Sequence, residues 1–90
     1  MRVADYLANY ISSELRVKNV FMLSGTGSVH LDDAFAFQKG VKHICARHEA
    51  AAVHMAEAAA KLTGKIGVVI ATTGPGGVNA ISGVVEAWVD

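Results

Sequence analysis

Charge is scarce in this sequence and favours neither sign: 8 Lys and Arg stand against 8 Asp and Glu, for a formal net charge of zero at pH 7. A balanced chain lacks the basic excess that draws a protein to nucleic acid or to an anionic membrane surface, so neither partner is expected. Charged residues make up 18% of the chain and hydrophobic ones 52%, whereas an ordinary soluble domain has roughly 25% and 45–50%. So apolar a composition can bury enough surface to fold, which excludes disorder. Cysteine is nearly absent. Cys45 stands alone, so no intramolecular disulfide forms, and no Cys/His cluster has zinc-ligand spacing; a reducing, cytoplasmic setting is expected. Near the start, Asp5, Asn9 and Glu14 interrupt the apolar region that a signal peptide needs.

Charge is also missing from Ile66 to Val85, a stretch as long as a membrane span. Its middle reads Thr72-Thr73-Gly74-Pro75-Gly76-Gly77 and includes the sole proline, which breaks a helix. The stretch therefore reads as a buried strand, a tight loop and a small-residue helix, and no transmembrane segment is expected. With 90 residues the chain makes one domain at most, and so small a domain leaves much of its surface in water. The shortage of charge then implies greasy faces or a piece of something larger.

Apolar residues recur every three to four positions at Val3, Leu7, Tyr10, Ile11 and Leu15, one face of a helix. Val20-Phe21-Met22-Leu23 is a short strand that leaves the core through Ser24-Gly25-Thr26-Gly27. Ser28 is placed to cap a second helix reaching Gln38, with Gly40 past its end. Val41–Ala46 is a weaker strand, and the alanine-rich His48–Leu62 segment is a helix stopping at Thr63-Gly64. Ile66–Ala71 is the clearest strand, and Val78–Val89 a last helix with Ile81, Val84, Val85 and Trp88 on one side. Strands alternating with helices predict an α/β fold, a parallel sheet with helices on both faces. Parallel strands put the turns at 24–27, 46–49 and 72–77 on one sheet edge, where ligands bind in open α/β sheets. Three strands make a small sheet, and the expectation is that it is truncated.

Neither glycine turn completes a dinucleotide fingerprint: Gly25-x-Gly27 is followed by His30, and Gly74-x-Gly76 by Asn79, where the third glycine belongs. Gly64-Lys65-Ile66 lacks the Ser or Thr of a P-loop. A stand-alone nucleotide- or phosphate-binding domain stays open as an alternative. Glu49 sits at the start of a helix whose next residues are Ala50-Ala51-Ala52-Val53. An acid there is favoured by the helix dipole alone; a carboxyl in apolar surroundings can also hold or share a proton with a ligand's ring nitrogen. His48 and His54 read as polar residues satisfied in the core or an interface, and Arg47 as the partner of a carboxylate.

The run from Arg47-His48-Glu49 through His54-Met55-Ala56-Glu57, Thr63-Gly64-Lys65 and Thr72-Thr73-Gly74-Pro75-Gly76-Gly77-Val78-Asn79 closely resembles the N-terminal, pyrimidine-binding domain of thiamine diphosphate-dependent enzymes, the acetolactate synthase and 2-oxo acid decarboxylase superfamily. The resemblance covers residues 1–90 as the N-terminal part of that domain, with the central and diphosphate-binding domains absent. It implies that Glu49 hydrogen-bonds N1′ of the cofactor's aminopyrimidine, making the 4′-amino group acidic enough to help deprotonate thiazolium C2 for attack on a substrate carbonyl. It further implies that Ser24, Gly25, Thr26, Thr72, Pro75 and Asn79 line or shape the pyrimidine pocket, and that Gly76 and Gly77 permit close backbone approach. The first turn has Ser24-Gly25 where the family usually has Pro-Gly. Thiamine diphosphate, a Mg²⁺ held by another domain, a 2-oxo acid substrate and a second subunit of a homodimer or homotetramer are the expected cofactors and partners; FAD is possible in this family but unreadable here. A catalytically inactive homologue is a second alternative.

Overall fold

The computed structural model describes residues 2–90. Four helices and three strands follow one another as α1 (Val3–Ser13), β1 (Asn19–Met22), α2 (Val29–Ala36), β2 (Lys42–Cys45), α3 (Glu49–Thr63), β3 (Val69–Ile70) and α4 (Pro75–Val89), with a 3-10 turn at Thr26–Ser28. The sheet has the order β2-β1-β3. Both pairings are parallel, in registers that set Phe21 opposite Ile44 and Val69, and Met22 opposite Cys45 and Ile70. The fold is the expected α/β sheet.

Alternation along β1 builds the core on both faces. Val20 and Met22 join Ala8 of α1, Ala34 and Phe35 of α2, Val17, Val41 and Ile70 on one side, while Phe21 meets Ala52 and Ala56 of α3 on the other. The small residues of α3 thus serve packing on its own sheet. Gly64 closes α3 at φ 71°, donating its N–H to Ala60 O at 2.9 Å, a left-handed cap that glycine adopts without steric cost.

Three boundaries differ from the sequence reading, each for a local reason. The face of α1 turned to the core is Ala4, Ala8 and Ile11, with Leu15 just past the helix packed beside them, whereas Val3, Leu7 and Tyr10 are exposed; alanine lets α1 sit close, and the larger side chains turn outward. Only Val69 and Ile70 of the expected strand 66–71 are assigned as β3. Before Val68 the chain rests on α3, so near that a Cβ on Gly67 would lie 2.5 Å from Ala56 O. The helix expected from Val78 begins at Pro75, because Pro75 supplies a pre-set first-turn φ and Gly74 takes φ 71°, ψ −125° to turn the chain into it. The Gly-Pro-Gly-Gly segment is therefore a helix start. Among the described residues no helix is long and apolar enough to cross a membrane.

Candidate functional site

Parallel pairing brings the ends of β1 and β3 side by side, and the residues that follow them interlock through Thr72. Thr72 Oγ1 accepts a hydrogen bond from the Gly27 N–H at 3.0 Å, tying the turn after β1 to the turn after β3. A Cβ on Gly25 would fall 2.6 Å from Thr72 Cβ, and one on Gly76 would fall 2.9 Å from Thr72 Cγ2. Both glycines are thus required by sterics, since real Cβ atoms do not approach so closely. Gly27 is confined in the same way by Thr73 Oγ1, 2.6 Å from where its Cβ would be.

Glu49 opens α3 and is 6% exposed. Its Oε1 accepts a hydrogen bond from Asn79 Nδ2 at 3.2 Å, and its Oε2 lies 3.4 Å from the position a Gly76 Cβ would take. Asn79 and Gly76 both belong to the first turns of α4, so the helix start meets the acid directly. Among the described residues the only side-chain oxygen both sealed from solvent and without a partner is Asp32 Oδ1. Glu49 Oε2 is therefore not sealed, although it too makes no hydrogen bond. The carboxyl combines a buried position, one occupied oxygen and one free oxygen.

The remaining candidates are spread around this centre. Ser24 and Thr26 are exposed in the first turn, and Pro75 is exposed at the first position of α4. No side chain comes near a Cβ on Gly77 within 4 Å, so close approach holds for Gly76 and not within the chain for Gly77. His48 and His54 are exposed, contrary to a placement in the core of this chain. His48 caps α3, its Nδ1 accepting from Ala50 N at 3.1 Å, because a ring nitrogen reaches the free N–H groups of the first turn. His54 lies 3.9 Å from Glu57. Ser28 does not cap α2 through its side chain; its hydroxyl bonds Gly25 O at 3.3 Å and Asp32 Oδ2 at 3.2 Å, bracing the glycine turn instead. Gly27 and Thr73 went unmarked by sequence reasoning as members of the site, and their only signal was membership of the turns that converge there. A carboxylate group at Glu57, Glu86 and Asp90 has ligand atoms within 4.8 Å of one another; Lys61 pairs with Glu57 at 2.8 Å and also with Asp90, so one side-chain cation already stands among the three acids.

Comparison with known proteins decides the family. Residues 1–90 match the family described as thiamine pyrophosphate enzyme, N-terminal TPP binding domain. The chain belongs to that family. This TPP-binding domain is acetolactate synthase-like: it is 46% identical over 77 residues to the acetolactate synthase large subunit of Lactococcus lactis subsp. lactis (strain IL1403), covering 86% of this chain and 13% of that protein. It is 46% identical over 74 residues to the acetolactate synthase isozyme 3 large subunit of Escherichia coli (strain K12), covering 82% and 13%. With the acetolactate synthase of Mycobacterium leprae (strain TN) it shares 36% over 77 residues, 86% of this chain and 12% of that protein. The domain thus spans about an eighth of these relatives' length. In this TPP-binding domain the Glu49–Asn79–Gly76 contact and the Thr72 lock occupy the sheet edge where the three strand-following turns meet.

Proposed function

We propose that this domain holds the aminopyrimidine half of thiamine diphosphate at the edge formed by residues 24–27, 49 and 72–79, and that the Glu49 carboxyl is the group that exchanges a proton with ring nitrogen N1′. The observation that carries this reading is the Glu49 side chain: 6% exposed, held on one oxygen by Asn79 and left without a partner on the other. Such a donor set fits a flat heteroaromatic ring that offers a nitrogen to a carboxyl. Gly76 supports it further, since a side chain there would crowd Thr72 and approach Oε2 at 3.4 Å. Ser24, Gly25, Thr26, Thr72, Pro75 and Asn79 are assigned to lining or shaping this pocket. Thiamine diphosphate, when bound, supplies the carbon nucleophile and electron sink needed to cleave or form a bond beside the carbonyl of a 2-oxo acid. What this chain would contribute is a carboxyl placed to exchange a proton with that ring nitrogen and a surface shaped by Gly25, Thr72 and Gly76.

The whole protein is then a 2-oxo acid carboligase or decarboxylase of the acetolactate synthase kind, acting in the cytoplasm. Its diphosphate and Mg²⁺ are held by a second domain and the site is completed by a second subunit, in a homodimer or homotetramer. The test is Glu49→Gln in the full-length protein, followed by thiamine diphosphate-dependent CO₂ release from pyruvate. Turnover is expected to fall at least about a hundredfold, in the range for removing a positioned general acid–base. Undiminished turnover overturns the role of Glu49, and a wild-type protein that binds the cofactor yet turns over no 2-oxo acid identifies an inactive homologue.

A further inference from the structure

We propose that Asn79 is a positioning residue that makes the two oxygens of Glu49 inequivalent: it holds Oε1, so that Oε2 is the oxygen presented to the ligand's ring nitrogen. The inference rests on the reading of Glu49 given above and goes beyond it by assigning each oxygen and by removing Asn79 from the set of ligand contacts.

Three observations carry it. Asn79 Nδ2 donates to Oε1 at 3.2 Å across 30 positions of sequence, a contact between the first turn of α3 and the second turn of α4. In this contact the Asn79 NH₂ is the donor and the Glu49 oxygen the acceptor. Second, Oε2 makes no hydrogen bond and is not sealed from solvent, and it faces the α-carbon of Gly76, where a Cβ would stand 3.4 Å away. The absent side chain at 76 keeps that oxygen open. Third, α4 is itself held in place around this contact: Gly76 rests on Thr72, and Gly83 rests on Val53, where a Cβ would lie 2.5 Å from Val53 Cβ. The donor therefore comes from a seated helix, and an amide fixed in this way stops the carboxyl from rotating about its terminal torsion, which is otherwise broad. With one oxygen occupied, the proton shared with a ring nitrogen has a single place to reside.

A double-mutant cycle in the full-length protein tests the assignment. Thiamine diphosphate is titrated calorimetrically in saturating Mg²⁺ into the wild type, Asn79→Ala, Glu49→Ala, the double alanine variant and Glu49→Gln, and kcat and the KM for pyruvate are measured for all five. Loss of a hydrogen bond to a charged group predicts about a tenfold weaker affinity for Asn79→Ala, with a lower kcat and an unchanged KM for pyruvate. Because Asn79 acts through Glu49, the double alanine variant is expected to be within about twofold of Glu49→Ala alone, which removes the acceptor, the signature of coupled residues. Losses that multiply in affinity or kcat overturn the proposal, since Asn79 then contributes independently of Glu49; unchanged affinity in Asn79→Ala overturns it as well. Asn79→Asp guards against misfolding: it keeps the side-chain shape, replaces the donor by an acceptor, and is expected to lose at least as much as Asn79→Ala. Full affinity in Asn79→Asp refutes the donor role. If Glu49→Gln leaves both affinity and turnover at wild-type values, the reading of Glu49 fails and takes this one with it; if Glu49→Gln is impaired while the losses multiply, only the role of Asn79 fails.

Discussion

Two glycines of one helix should respond to the same substitution with opposite signs. Gly77 and Gly83 both lie in α4, so replacing either by alanine improves helix propensity by about 1 kcal/mol in a helix interior, and by less near an end such as Gly77. At Gly77 nothing lies within 4 Å of the new Cβ, and the propensity gain is expected to survive as roughly 0.5 kcal/mol of added stability. At Gly83 the new Cβ would stand 2.5 Å from Val53 Cβ, 2.6 Å from Val53 Cγ1 and 3.4 Å from Ala50 O. Val53 is 8% exposed and β-branched, so it has no flexible end to swing aside; the two helices must part by most of an ångström. Overpacking of this kind costs about 1–3 kcal/mol, and after the propensity gain a net loss of roughly 1–2 kcal/mol remains. Hydrogen exchange of the α3 and α4 amides, measured by mass spectrometry on the full-length protein, reads the local stability directly. Gly83→Ala is expected to lose protection in both helices and Gly77→Ala to gain it in α4. Val53→Ala should not rescue Gly83→Ala, because the nearest atom is the Cβ that alanine retains. Equal protection in Gly83→Ala and wild type refutes the close seating of α4 on α3.

Three further outcomes are expected. Thr72→Val keeps the side-chain shape but removes the acceptor of the Gly27 N–H, so the turn at residues 24–28 should lose about 1 kcal/mol of protection while Thr72→Ser stays near wild type; equal exchange in Thr72→Val and wild type would remove the lock. The Arg2 guanidinium, bonded to Asp5 at 3.0 Å, holds the Asp5 carboxyl below the ordinary aspartate range. A depressed folded value means that the pair's contribution is complete above the ordinary aspartate pKa and disappears as pH falls through the depressed one. Both groups are exposed, so the effect on stability is small, and an NMR titration of Asp5 should show its midpoint rise in Arg2→Ala; an unmoved midpoint refutes the pairing. Finally, residues 1–90 prepared alone should self-associate in sedimentation experiments, because Val78, Ile81, Val85 and Trp88 of α4 are each more than half exposed and β3 pairs on one side only; a monomer at high concentration would count against this.

Much of this architecture is legible in residue patterns, and the failures have physical causes. Val20-Phe21-Met22 alternates between two cores as a strand with helices on both faces must, and the alanines of α3 announce a helix that lies close on the sheet. Glu49 was singled out by its place at a strand-to-helix junction, and it is the buried acid of the molecule. What could not be read is anything set by contact between distant segments. The hydrophobic face of α1 was misjudged because size, and not hydrophobicity alone, decides which side meets the core: Ala8 is buried while Leu7 is exposed. Gly-Pro-Gly-Gly resembles a loop by composition, yet proline is favoured at a first helical position, and tertiary contact at Gly76 does the rest. The hydrogen bond between Asn79 and Glu49 joins residues 30 apart, a distance no local pattern reveals.

The shortage of charge in the sequence acquires a location through α4. Its buried residues are Gly76 and Gly83, so no apolar side chain of its own is fully buried. It is seated by the close approach of Gly76 to Thr72 and of Gly83 to Val53 and by the Lys61 link to Asp90 just past its end, while Ala80, Val84 and Ala87 line an open groove beside α3 and β3. The larger apolar residues face outward, with Trp88 88% exposed. A helix held in this way has its height above the sheet decided by what is missing at two positions, and that height sets the reach from Asn79 to Glu49. Side chains at 76 or 83 are therefore expected to act on the carboxyl even though neither residue would touch its hydrogen-bonded oxygen. Gly83→Ala, one turn beyond Asn79 and packed on Val53 and Ala50, should weaken cofactor binding along with the protection of α3 and α4. Normal affinity in a variant whose helices have parted would show that the Asn79 contact tolerates the shift, and that the seating of α4 serves stability alone.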